Sequence, residues 1–84
     1  MFLPKAELIS KGDFFECRII HEGKQFYFLE RTDIENGEIV PYDILIDKEN
    51  NTRNGLEVGV ELKVKVNNIH IADDGTLGLF CTAV

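Results

Sequence analysis

Five short runs of alternating apolar and polar residues predict an all-β chain that closes into a small barrel. Turn signals at Asn36-Gly37, Asn54-Gly55 and Asp73-Asp74-Gly75 separate several of these runs, because Gly and Asn readily take backbone angles that other residues avoid. No segment sustains a long helical period, and no apolar run reaches the length of a membrane span. The 84 residues suit one domain with a limited core. It is expected to span residues 1–84, with 1–12 as an N-terminal lead-in.

Residues 58–66 carry the clearest alternation. Val58, Val60, Leu62, Val64 and Val66 share one face, while Gly59, Glu61, Lys63 and Lys65 share the other, the pattern of a sheet with one wet side. A first strand is expected over 14–20, with Phe15, Cys17 and Ile19 inward and Glu16, Arg18 and Ile20 outward. His21-Glu22-Gly23-Lys24 reads as a compact turn, pairing that strand with a second over 25–31. Asn36-Gly37 then leads into a third strand over 39–46, where Pro41 suggests an edge position or a bulge. Residues 47–55 are polar and read as a loop with room for at most a short helix, and a fifth strand follows over 77–83. Residues 4–10 read equally as a short helix or an extended segment.

Five such strands without a long helix favour an oligonucleotide/oligosaccharide-binding barrel (OB-fold), with an SH3-like barrel as the alternative. Residues 1–5 hold too short an apolar stretch for a secretory signal, so a cytoplasmic location is expected. Cys17 and Cys81 are too few for a disulfide scaffold and fall in expected strands, where cysteine commonly serves as a small buried hydrophobe. The formal net charge of −6 disfavours indiscriminate attraction to phosphates. Within residues 1–31, however, five basic and five acidic side chains cancel. The excess acidity lies downstream, much of it in Asp33, Glu35, Glu38, Asp43, Asp47 and Glu49.

The most informative run is Phe26-Tyr27-Phe28-Leu29, between Lys24-Gln25 and Glu30-Arg31. Side chains on a strand alternate, so either Phe26 and Phe28 or Tyr27 and Leu29 must face away from the core. Outward aromatics beside Lys and Arg suit unpaired bases, which stack on aromatic faces for about 1–3 kcal/mol each.

The segment Gly23-Lys24-Gln25-Phe26-Tyr27-Phe28-Leu29-Glu30 resembles a Gly-Lys-Pro-Tyr-x-Leu/Phe-x-Glu-like strand of filamentous-phage single-stranded DNA-binding proteins. It is also similar to the Lys-Gly-Phe-Gly-Phe-Ile-like strand of cold-shock domains. Both resemblances imply that Phe26 and Phe28 face nucleic acid. Residues 57–66 and 74–79 look like the fourth strand, final turn and fifth strand of cold-shock and ribosomal RNA-binding OB modules, so the likeness covers roughly residues 14–84. Two departures imply a weak, short or specialised site. Ile44-Leu45-Ile46-Asp47-Lys48 lacks the aromatics and histidine of the cold-shock third strand, and basic residues are fewer than in the phage proteins.

These readings select Phe26 and Phe28 as a stacking platform, Phe80 as a further aromatic contact, and Arg18, Lys24, Lys63 and Lys65 as phosphate contacts. Tyr42 shares its phase with Val40, Ile44 and Ile46 and is expected inward. The expected function is non-enzymatic binding of single-stranded DNA or RNA, with DNA slightly preferred, and without a cofactor. An enzyme is hard to assemble from these residues. His21 and His70 lack metal-site spacing, no Gly-rich phosphate loop opens a helix, and Asp73-Asp74 is explained by its turn. The competing expectation is an acidic protein-interaction module, an adaptor or inhibitor, resting on the acidic stretch and an edge-like third strand. A homodimer seam is the competing use of Phe26 and Phe28.

Overall fold

A computed structural model describes residues 9–34, 40–51 and 53–84. Five strands follow in chain order: β1 (Phe14–Glu22), β2 (Phe26–Arg31), β3 (Tyr42–Asp47), β4 (Glu61–Ile71) and β5 (Leu77–Ala83). They close into a barrel in the order β1-β2-β3-β5-β4. The β3–β5 pair is parallel and every other pair antiparallel. The all-β expectation holds, and the architecture is that of an OB-fold-like small barrel.

Alternation builds the core. Phe15, Cys17 and Ile19 point inward from β1, Leu29 from β2, Ile44 and Ile46 from β3, Leu62, Val64 and Val66 from β4, and Leu79 and Cys81 from β5. Many of these positions are β-branched, which suits a pleated, packed surface. Leu56, from the segment between β3 and β4, is buried with them.

Two bulges break the alternation. Ile19 pairs with Leu29 but His21 pairs with Phe28, so Ile20 is an extra residue in β1. Val66 pairs with Cys81 but Asn68 pairs with Phe80, so Asn67 is extra in β4. Each bulge tightens the local twist, as a small closed barrel requires, and reverses the phase of the residues beyond it.

Several boundaries differ from the sequence expectation. β4 starts at Glu61 rather than at 58. Gly59 takes φ +96°, and the turn there leaves Val58 57% exposed. β4 also continues to Ile71, well past Val66. β1 runs through His21 to Glu22, and the tight turn is closed by the Gly23 N–H donating to the Phe26 carbonyl at 2.8 Å. Pro41 precedes β3 instead of lying within it, and β3 is no edge, being paired to β2 and β5. The Ala72–Thr76 turn forms as Asp73-Asp74-Gly75 predicts, with Gly75 at φ +87°. The expected Asn36-Gly37 turn and residues 1–8 of the lead-in lie outside the described residues.

At one end of the barrel Arg31 holds three elements together. Its guanidinium carbon lies 4.1 Å from the Phe15 ring centroid, its Nε donates to Asp33 at 2.7 Å, and its Nη1 donates to the Tyr42 hydroxyl at 2.9 Å. Tyr42 is thus inward, as expected, and its ring stacks with Phe15 at 6.4 Å. The Asp33 carboxylate also accepts the Glu16 N–H at 3.2 Å.

Candidate functional site

Barrel closure assembles an aromatic face from residues on all five strands. In β2, Leu29 is buried and Tyr27 packs against the core, which turns Phe26 and Phe28 outward. Phe28 is directly opposite Leu45 of β3, and Leu45 is opposite Phe80 of β5. One outward row therefore reads His21, Phe28, Leu45, Phe80 and Asn68 across β1, β2, β3, β5 and β4. Strands stand about 4.8 Å apart, so Phe28 and Phe80 are separated by roughly 10 Å of surface with Leu45 between them.

Ring contacts tie the row together. The Phe26 and Phe80 rings are 5.8 Å apart, tilted by 58°. His70 approaches Phe80 edge-on at 6.4 Å, and His21 lies 5.5 Å from Phe28. Phe28 is exposed, while Phe26 and Phe80 are half-buried against each other. The arrangement offers flat apolar contact over two lobes, His21/Phe28 and Phe26/Phe80/His70. Gly23 makes room for the first lobe, since a Cβ there would stand 3.2 Å from the Phe28 ring.

Sequence reasoning misses Leu45 and the two histidines as members of this face. Leu45 has a readable signal, the outward phase between Ile44 and Ile46. The histidines have none. Unbroken alternation from Ile19 and Val66 would turn His21 and His70 inward, and only the two bulges bring them onto the face.

The basic candidates are scattered. Arg18 sits beside the platform on β1, but its Nη2 and Nε bind the Glu30 carboxylate at 2.8 and 3.2 Å, and this hydrogen bond raises the guanidinium pKa further. Lys24 lies exposed in the β1–β2 turn with no ion pair among the described residues. Lys48 reaches Tyr27 rather than the outward rings, 5.0 Å from its centroid, and lies 2.7 Å from a Glu22 oxygen. Lys63 and Lys65 are not beside the platform. They project from β4 where it pairs with β1, opposite Glu16 and Phe14. Outward acids interrupt the face, Asp47 opposite Phe26 and Asp43 opposite Gly78.

The cysteines lie in the interior. Burial pushes the Cys17 thiol up to about 12, with Cys81 and Asp33 adding to it, and burial alone takes Cys81 up to about 12. Thiols so held are protonated at neutral pH and poor nucleophiles. Among the described residues no cluster of three or more His, Cys, Asp or Glu is placed to hold a metal ion. No helix among them is long and apolar enough to cross a membrane.

The chain matches no protein-family model and no curated protein sequence.

Proposed function

We propose that this barrel binds single-stranded nucleic acid by stacking bases on Phe26, Phe28 and Phe80, with DNA slightly preferred over RNA. The observation that carries the reading is the continuous outward row across β2, β3 and β5, on the side of an OB-type barrel suited to oligonucleotides. Stacking dominates and electrostatics contribute little. Arg18, Lys48 and Lys63 each have a carboxylate within 4 Å, whereas Lys24, two residues before Phe26, has no ion pair among the described residues. Binding is therefore weakly sequence-selective and only modestly salt-dependent. The preference for DNA rests on the resemblance of residues 23–30 to the phage proteins.

The acids beside the platform favour a second reading, a protein partner with a basic, apolar surface. It would dock on this face rather than by strand addition, because β3 is paired on both sides.

Titration of fluorescent oligo(dT) and oligo(U) at low and moderate salt separates the two. Wild type is expected to bind, and Phe26→Ala/Phe28→Ala to lose about 2–6 kcal/mol, on the basis of two stacked bases. No binding at low salt would exclude nucleic acid and turn the search to protein partners.

A further inference from the structure

Away from the platform, Phe14 is 52% exposed on the outward phase of β1. An exposed phenylalanine alone is ordinary; its neighbours are what distinguish it. Lys65 of β4 stands directly opposite, and the Lys63 Nζ lies 5.9 Å from the ring centroid. Lys65 has no ion pair among the described residues, and Lys63 meets only the Glu16 carboxylate, at the loose distance of 3.9 Å. Two lysines thus flank one exposed ring, with Glu16 opposite Lys63.

The register connects the two places. Phe14 pairs with Lys65, Lys65 with Thr82, and Thr82 follows Cys81, which pairs with Ile46. The next outward residue of β3 is Asp47, opposite Phe26. One row of outward residues therefore runs around the barrel from Phe26 to Phe14, about 19 Å for four strand spacings of roughly 4.8 Å. Thr82 is fixed on this path by the Asn67 amide, which donates to its hydroxyl at 3.0 Å.

We infer that Phe14, Lys63 and Lys65 form a second contact for the same single-stranded nucleic acid. This rests on the reading of the platform given above. A strand seated on Phe26 and Phe80 passes over Thr82, sets its phosphates against Lys65 and Lys63, and stacks a further base on Phe14. The occupant is a polyanion with flat bases, since two cations beside one ring complement phosphate and π-face together.

Oligo(dT) of about 4 and about 16 nucleotides, the range of single-barrel site sizes, distinguishes the two contacts. Phe14→Ala is expected to weaken the longer oligonucleotide about fivefold, the lower end of one stacked base, and to leave the shorter unchanged. Lys63→Ala/Lys65→Ala should reduce the slope of log affinity against log salt by about 1.4 for the longer one, the loss of two phosphate contacts. Phe26→Ala/Phe28→Ala should weaken both lengths. If the Phe14 and lysine variants bind the longer oligonucleotide like wild type while the platform variant does not, this inference fails and the platform reading stands. Equal weakening of both lengths by Phe14→Ala also overturns it, as would be seen if Phe14 acted through the fold. Wild type binding neither length overturns both.

Discussion

Phe26 and Phe80 meet at 5.8 Å across β3, the strand that separates theirs. Each ring holds the other half-buried, so the platform is pre-organised before any base arrives. Phe80→Ala should therefore weaken oligo(dT) binding by about 1–3 kcal/mol, the contribution of a stacked base. Leu45→Ala, which removes apolar area but no π-face, should cost less. Fluorescence anisotropy on the two variants ranks them. An equal loss would mean that apolar area, not stacking, carries binding.

Arg31 is the expected weak point of stability. Its side chain is only 8% exposed, and it stacks on Phe15 while bonding Asp33 and Tyr42. Arg31→Ala should lower unfolding free energy by about 2–3 kcal/mol, because it removes the ring stacking and the charge-assisted hydrogen bonds that Arg31 makes to Asp33 and Tyr42. Arg31→Lys should recover little of this, since an ammonium cannot stack and bond in a planar fork. Urea denaturation of the three proteins tests it.

The same cluster contributes to the acid response. Burial acts to raise the Asp33 carboxyl, but hydrogen bonds from Arg31 and the Glu16 N–H, with the Arg31 charge, bring it below its ordinary value. A lowered folded pKa means stability that is present at neutral pH and lost as pH falls below the unfolded value of about 4. Asp33→Asn should be less stable than wild type at neutral pH, and the gap should narrow as pH drops below about 4. A gap that is constant with pH in urea melts would count against this role.

Cys17 and Cys81, both pushed up to about 12 by burial, respond in the opposite direction. A raised folded pKa gives stability that is complete below the unfolded value of about 8.5 and declines as pH rises above it. At pH near 8, an aromatic disulfide reagent should label neither thiol until the barrel is unfolded, when both should react. Rapid labelling of the folded protein would show that the core opens locally.

The barrel itself is legible because its pattern is local. The Phe26–Leu29 run can resolve only one way once Leu29 and Tyr27 have a core to fill, and β5 begins and ends where its alternation and the Asp73-Asp74-Gly75 turn predict. Neighbourhood is what a linear pattern does not carry. Alternation says which face Lys63 and Lys65 share, but closure order decides that this face borders Phe14 rather than Phe26. Pro41 suggests an edge, yet it lies one residue before the strand, where its missing N–H costs no ladder bond. Gly59 reads as a small outward residue in a strand, and its positive φ instead starts the strand later.

The two bulges make each of their strands serve two clients. Before the extra residue, every second side chain of β4 fills the core up to Val66; beyond it, the count restarts so that His70 reaches the platform and Ile69 stays inside. Ile20 divides β1 in the same way, ahead of His21. Core and surface are thereby decoupled along one chain segment. Substitutions at His21 or His70 can retune the face while Ile19 and Val66 stay as they are. Removing Ile20 or Asn67 instead costs the added twist, with the partners on either side still opposite the same residues.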